Sequence, residues 1–102
     1  MNPCYSAIKS RLRGFTKSLA REWGPHGILV SAIAPAAVTG PARQYLERNA
    51  AFGAQVAATT PLGRLGDPRH DIGRTIVAMC GDDWNYVTGL TLMAAGGNYV
   101  AQ

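Results

Sequence analysis

The chain has 102 residues, of which 47% are hydrophobic, so its length suits one domain and its composition can form a core. The whole formal charge of +4 falls within residues 1–30, which hold two lysines and three arginines against one glutamate. A basic helix can bind nucleic acid, but no nucleic-acid motif or aromatic platform accompanies it. We therefore expect a solvated helix face and no nucleic-acid partner.

The compartment is predicted from what the sequence lacks. No apolar run approaches the roughly 20 residues that cross a bilayer. The first residues lack the charged-then-apolar layout of a secretory signal. Cys4 and Cys80 have no CxxC or metal-ligand spacing, so we predict reduced thiols and no metal site. These features favour a cytoplasmic protein with no membrane partner.

The first predicted helix covers residues 3–23. Proline at position 3 suits a first turn, and Gly24-Pro25 is a usual stop signal. Its apolar residues recur every three or four positions, which indicates an amphipathic helix; they are Ile8, Leu12, Phe15, Leu19 and Trp23. Gly14 costs a helix about 1 kcal/mol relative to Ala, which suggests close approach of another backbone.

Tyr5 and Lys9 are neighbours on this helix, because side chains four residues apart lie on one face. A nearby ammonium favours the ionised phenol and lowers its pKa towards working pH. A tyrosine of this kind can exchange a proton with a hydroxyl or carbonyl oxygen. On spacing alone, a chance pair on a solvated helix face is the favoured explanation, because such pairs are common.

A strand is predicted over residues 28–34, because this stretch is almost wholly apolar, as in a parallel strand covered on both faces. Helix and strand together correspond to the second half of a βαβ unit. Residues 42–58 have moderate helical character with an interruption near Gly53. The region 41–60 is therefore either a lid over a binding crevice or a loosely ordered connection.

The last elements are a helix and a short strand. Asp67-Pro68 is a strong helix start, with Asp as the N-cap and Pro in the first turn, and we predict a helix over 68–80. A polar turn leads to a strand over 90–94, which Gly96-Gly97 closes. We expect one partial domain over residues 1–102.

Taken in order, these segments resemble the C-terminal part of a short-chain dehydrogenase/reductase. The matching motifs are Tyr5-Ser6-Ala7-Ile8-Lys9, residues 19–28, Ala32-Ile33-Ala34-Pro35, residues 61–68, Tyr86-Val87-Thr88-Gly89 and Gly96-Gly97. The resemblance implies an α/β fold, the C-terminal portion of a Rossmann-like doubly wound parallel sheet. It also implies an NAD- or NADP-dependent oxidoreductase of small alcohols and ketones.

The resemblance assigns site residues as well. It implies that Tyr5 is the general acid/base, and that Lys9 lowers its pKa and bonds the nicotinamide ribose hydroxyls. The loop from Pro35 to Thr39 would line the nicotinamide, with Ala36 within it and the backbone of Val38 against the carboxamide. Residues 41–60 would form the mobile substrate lid.

Some family features differ or are absent. Ala36 stands where the family usually has glycine, and Thr39 lies one position before the usual threonine, at Gly40. No glycine-rich strand–turn–helix occurs, and the catalytic serine would precede Met1. We therefore expect a portion of an oxidoreductase that alone neither binds NAD(P)H tightly nor turns over substrate. The alternative is a non-catalytic interaction module that forms homo-oligomers or joins an intact paralogue.

Overall fold

The computed structural model describes residues 3–98, apart from the side chains of Tyr5 and Ala42. Its principal elements are helices α1 (Pro3–Trp23), α2 (Gly40–Arg48), α3 (Ala50–Thr59) and α4 (Arg74–Met79) and strands β1 (Ala32–Pro35) and β2 (Thr91–Ala94). The two strands form one sheet. None of the helices within residues 3–98 combines the length and apolar composition that a bilayer crossing requires.

The chain divides into two compact units, and the prediction of one partial domain over residues 1–102 stays a prediction. The first unit comprises Met1–Ile33 and Gly81–Leu92, and the second comprises Ala34–Cys80 and Met93–Gln102. The Ala32 N–H donates to Leu90 O in the first unit, and the Ala36 N–H donates to Ala94 O in the second, both at 3.0 Å. Because both bonds have the same sequence offset, β1 and β2 run parallel.

In the first unit, α1 covers the range predicted for it. The helix continues into a 3₁₀ turn over Gly24–His26 and ends at Gly27, which has a φ of 75°. The Gly27 N–H donates to Gly24 O at 2.9 Å and so satisfies one of the carbonyls at the helix end. Glycine suits this left-handed position because it has no Cβ to clash with the carbonyl.

The buried face of α1 is not its apolar stripe. Thr16 and Ala20 are 7% and 6% exposed, whereas Ile8 and Phe15 remain 63% and 60% exposed. Ala20 packs closely because its neighbour is a glycine: a Cβ built on Gly89 would lie 3.4 Å from the Ala20 Cβ. The small residues of α1 therefore allow the close packing, whereas most of the predicted stripe is exposed and Leu19 is half-buried. Within the described residues, nothing lies within 4 Å of a Cβ built on Gly14.

The first strand begins later than predicted. We expect residues 28–34, whereas β1 spans Ala32–Pro35. Val30 is instead held by a turn: its N–H donates to the Thr88 hydroxyl at 2.9 Å, and its carbonyl accepts from the Gly89 N–H at 2.7 Å. Pro35 is the last residue of β1 instead of the first residue after it. The strand can include this proline because alternate residues donate to β2 and the proline nitrogen lies on the other side. Strand β2 begins at Thr91, one residue after the predicted start.

The two helices of the region 41–60 are separated at Asn49, not at Gly53 as predicted. Asn49 leaves the helical conformation with φ −130° and ψ 80°. Gly53 lies inside α3, where its N–H donates to Asn49 O at 3.1 Å. The rings of Tyr45 and Phe52 meet edge to face with centroids 5.0 Å apart, so an aromatic pair joins α2 to α3.

The helical segment that follows Asp67 begins as predicted, but its first turns are π-helical instead of α-helical. The Asp67 carboxylate accepts from the N–H groups of Arg69 at 3.0 Å and His70 at 2.7 Å, the contacts of an N-cap. The Asp67 carbonyl accepts from both Asp71 at 2.9 Å and Ile72 at 3.3 Å. The second of these bonds spans five residues, so Pro68–Gly73 is π-helical and only Arg74–Met79 is α-helical, in place of one helix over 68–80.

Candidate functional site

Tyr5 and Lys9 lie on α1 in the first unit. The Tyr5 side chain is outside the described part of the structure, but its place in the helix is defined. Tyr5, Lys9 and Thr16 are spaced by four and seven residues, which at 3.6 residues per turn brings them to one face. That face is the one buried at Thr16. The Lys9 side chain is exposed.

The residues predicted to line the nicotinamide form a continuous loop in the second unit, which we call the cofactor loop (residues 35–39). Pro35, exposed, ends β1, and the Thr39 carbonyl accepts from the Arg43 N–H at 2.8 Å as α2 begins. Both backbone polar groups of Ala36 are bonded, with its N–H on Ala94 O and its carbonyl accepting from Gly66. The loop therefore links the end of β1 to α2.

Gly66 is bonded to the cofactor loop on both sides. Its N–H donates to Ala36 O at 2.9 Å, and its carbonyl accepts from the Val38 N–H, also at 2.9 Å. Together these bonds make an isolated parallel bridge between Ala37 and Gly66. The Val38 N–H is therefore engaged within the chain. The contact predicted between the Val38 backbone and the nicotinamide carboxamide stays a prediction. While the Val38 N–H donates to Gly66 O, that contact would have to use the Val38 carbonyl oxygen.

An ion pair that was not predicted from the sequence encloses Gly66. The Arg64 guanidinium donates to both oxygens of Asp71, at 2.5 Å and 3.1 Å, and the Asp67 N–H donates to one of them at 2.6 Å. These bonds, with that from Arg64 foremost, hold the pKa of Asp71 at about 2. The same pairing raises the pKa of Arg64. The sequence signal was the opposite charges seven residues apart across Gly66.

A second acidic group beside this pair is also stabilised as an anion. The pKa of Asp67 lies below its ordinary value, chiefly because its carboxylate accepts from the His70 backbone N–H, and further because it contacts the His70 ring. Asp67 and Asp71 thus accept different donors at the start of one helical segment. Their role in the described structure is to fix the backbone from Arg64 to His70.

A cavity of about 340 Å³ opens beside the cofactor loop in the second unit. Ala36 and Gly66 border it on one side, and Met93 and Gly96 border it on another. Its charged lining groups, Arg64 and Asp71, are paired with each other, and the other lining residues are small or apolar. The cavity is therefore electrically neutral and presents mainly apolar surface.

Comparison with known proteins identifies the family. A sequence model described as Enoyl-(Acyl carrier protein) reductase matches residues 1–98, nearly the whole chain. The chain belongs to the short-chain dehydrogenase/reductase family. The predicted fold class, part of a Rossmann-like α/β fold, is confirmed by the solved structures that this family member resembles.

Three relatives illustrate the range of similarity to this short-chain dehydrogenase/reductase. An acetoacetyl-CoA reductase from Rhizobium meliloti is 38% identical over 98 residues, which cover 95% of this chain and 39% of the relative. A 12alpha-hydroxysteroid dehydrogenase from a Clostridium species is 36% identical over 94 residues, covering 91% and 36%. A short chain dehydrogenase from Leptospira borgpetersenii, solved with bound NAD+, is 31% identical with a TM-score of 0.79, covering 96% and 36%.

The chain spans less than two fifths of the length of these relatives. Family membership accounts for the motifs. The predicted site residues are divided between the two units. Tyr5 and Lys9 belong to the first unit, and Pro35, Ala36, Val38 and Thr39 are brought together in the second.

Proposed function

We propose that this chain carries the acid/base portion of an NAD- or NADP-dependent oxidoreductase that interconverts an alcohol and a ketone. The observation that carries the proposal is the Tyr5-x-x-x-Lys9 spacing on one continuous helix, α1, in a chain matched to the family over residues 1–98. The names of a hydroxysteroid dehydrogenase and an acetoacetyl-CoA reductase among its relatives support chemistry at a hydroxyl or keto carbon.

The acid/base work is assigned to Tyr5. Its phenol donates a proton to the substrate oxygen during reduction and accepts one during oxidation. Lys9 stabilises the ionised phenol because an ammonium four residues away on a helix lies beside it. Lys9 also donates to the ribose hydroxyls of the cofactor. Hydride exchange is the chemistry that the nicotinamide supplies when bound.

The residues of the cofactor loop fit a nicotinamide by their chemistry. Pro35 and Thr39 are exposed and offer an apolar ring and a hydroxyl, and Ala36 adds a small side chain. Val38 offers its carbonyl oxygen to the carboxamide while its N–H stays on Gly66. The neutral, mainly apolar cavity next to Ala36 supports a small uncharged substrate, with α2 and α3 as the lid.

For the 102-residue chain alone we expect neither tight cofactor binding nor turnover. The relatives that it resembles are more than twice its length. Titration of the chain with NADH and NADPH, followed by fluorescence, is expected to show no saturation in the low micromolar range. Saturable micromolar binding by the chain alone would contradict this expectation.

The test of the function replaces the matching portion of the Rhizobium meliloti acetoacetyl-CoA reductase with residues 1–98 of this chain. We expect the chimera to oxidise NADH or NADPH in the presence of a keto substrate. The unaltered reductase serves as the positive control. A chimera that binds the nicotinamide cofactor but reduces no ketone in a broad panel would contradict the proposal.

A second function, an interaction surface, is favoured by the exposed face of α1. Ile8, Leu12 and Phe15 are 63%, 51% and 60% exposed and recur every three or four residues. A continuous apolar stripe of this kind is typical of a surface that contacts another chain. Self-association through this stripe accounts for a homo-oligomer without requiring catalysis.

Sedimentation velocity distinguishes this surface from a merely exposed helix. Phe15→Glu is expected to convert any oligomer of the chain to monomer. Val77→Glu is the matched control, because Val77 on α4 is 73% exposed but lies outside the stripe. A concentration-independent monomer for the unsubstituted chain, or equal effects of both variants, would exclude the interaction surface.

A further inference from the structure

Residues 64–71 form a small closed turn beside the cofactor loop. Gly66 lies at its centre and reaches the loop through two backbone bonds, to Ala36 O and from the Val38 N–H. The Asp71 carboxylate closes the turn, since it accepts from Arg64 on one side of Gly66 and from the Asp67 N–H on the other. Gly66, which bonds the cofactor loop, thus lies between Arg64 and Asp67, and both of these residues donate hydrogen bonds to the Asp71 carboxylate.

Gly66 leaves little room for a side chain at this approach. A Cβ built on it would lie 3.1 Å from the Ala36 carbonyl oxygen and 3.5 Å from the Asp71 Cβ. The first neighbour is a backbone atom already bonded to the Gly66 N–H, so it has little freedom to withdraw. A side chain at position 66 would therefore press on the backbone of the cofactor loop.

The ion pair acts through geometry rather than through its own strength. The side chains of Arg64 and Asp71 are 59% and 34% exposed, and exposed ion pairs contribute little to global stability. The fork of the guanidinium, however, fixes both oxygens of the carboxylate at once. The third bond, from the Asp67 N–H, carries that orientation to the residue next to Gly66.

We propose that Arg64, Asp71 and Gly66 are positioning residues that hold the cofactor loop in its nicotinamide-binding shape. The ion pair fixes the closed turn, the turn fixes Gly66, and Gly66 fixes the backbone of residues 36–38. This inference rests on the proposed function for the meaning of the loop, but the mechanical link is a property of the chain alone. No residue of the set contacts the reacting atoms in this role.

Amide hydrogen exchange of the 102-residue chain, read residue by residue by NMR without cofactor, tests the link. In Asp71→Ala, the Val38 and Gly66 amides should exchange at least about tenfold faster, because their bonds open locally. The Ala36 amide, bonded to Ala94 O on β2, should change less than about twofold and serves as the internal reference. Asp83→Ala, which removes an exposed carboxylate from the other unit, is the matched charge control.

Arg64→Lys keeps the positive charge but cannot bond both carboxylate oxygens as the guanidinium does. This variant tests the proposal if Asp71→Ala fails to fold. We expect intermediate exchange rates at Val38 and Gly66. Unprotected Val38 and Gly66 amides in the unsubstituted chain would overturn the proposal. So would unchanged rates in Arg64→Lys, or a rise there that Ala36 shares equally.

A kinetic measurement separates positioning from general stability. In the acetoacetyl-CoA reductase chimera, Arg64→Lys should raise the KM for the nicotinamide cofactor about threefold to tenfold while kcat stays within about twofold. Asp83→Ala should alter neither constant. An unchanged KM in Arg64→Lys would overturn the proposal. An inactive chimera with faster Val38 exchange in the variants would instead contradict only the proposed function.

Discussion

Arg64 and Asp71 form a two-pronged ion pair, with guanidinium nitrogens 2.5 Å and 3.1 Å from the two carboxylate oxygens. The pKa of Asp71 is lowered from 3.8 to about 2, so the carboxylate is bound more tightly as an anion in the folded chain. A depressed folded-state pKa contributes stability above the unfolded value of 3.8 and loses it as the pH falls towards 2. The contribution of this ion pair to the stability of the folded chain is therefore fully present at neutral pH.

The first prediction concerns this titration. The carboxyl carbon of Asp71, followed by ¹³C NMR from pH 5 downward, should show a midpoint near 2. In Arg64→Ala the midpoint should rise towards 3.8, because the foremost cause of the shift has been removed. A midpoint that does not move in Arg64→Ala would show that the ion pair does not form in solution.

The second prediction concerns Gly97, which approaches the end of α3. Gly97 has a φ of 85°, and a Cβ built on it would lie 2.9 Å from the Pro61 Cγ. Gly27 has a φ of 75° and nothing within 4 Å of such a Cβ. Gly27→Ala should lower the free energy of unfolding by about 1–2 kcal/mol through backbone strain alone. Gly97→Ala should cost about 1–2 kcal/mol more, because it adds a steric clash.

Urea unfolding of the two variants, followed by circular dichroism, measures the difference. The comparison is controlled because both glycines adopt the left-handed conformation and only one has a close neighbour. Equal losses in Gly27→Ala and Gly97→Ala would show that Gly97 does not pack against Pro61 in solution.

The third prediction concerns the buried hydroxyl of Thr60. Thr60 is 3% exposed, and its hydroxyl oxygen has no hydrogen-bond partner within the described residues. Burying an unpaired hydroxyl costs free energy, so Thr60→Val should raise the free energy of unfolding by about 1 kcal/mol. Thr16→Val is the matched control, because the Thr16 hydroxyl donates to Leu12 O at 2.8 Å and its removal should bring no such gain. Thermal denaturation of both variants tests the difference, and a clear loss in Thr60→Val would contradict it.

Local signals predicted parts of the fold well. The Asp67 N-cap follows from bonds to the amides of Arg69 and His70, which lie two and three residues away. The end of α1 near Trp23 follows from Gly24-Pro25, because proline and glycine act on the adjacent backbone. Such features depend on residues close in sequence, which a single sequence displays.

The differences arise where distant residues decide the outcome. The start of β1 depends on Thr88 and Gly89, which hold Val30 from 58 and 59 residues away. The buried face of α1 depends on Gly89 beside Ala20, and periodicity alone favours the larger side chains of the stripe. These contacts have no local signature.

The candidate site follows the same division. Tyr5 and Lys9 are predicted as site residues by their spacing and by the motifs that follow in order. The bonds of Gly66 to the cofactor loop join residues about 30 apart and could not be read from the sequence. The Arg64–Asp71 pair was visible as two opposite charges, but its connection to the cofactor loop depends on that long-range contact.

The most direct test of the central claim is the steady-state rate of ketone reduction by the acetoacetyl-CoA reductase chimera with Tyr5→Phe. The control is Tyr86→Phe, since Tyr86 is fully exposed and lies outside the site. We expect Tyr5→Phe to lower kcat at least about 100-fold, because the proton donor is lost, and to leave cofactor affinity within about threefold. Tyr86→Phe should leave both constants unchanged. A Tyr5→Phe chimera that reduces ketone as fast as the Tyr86→Phe chimera would contradict the role assigned to Tyr5.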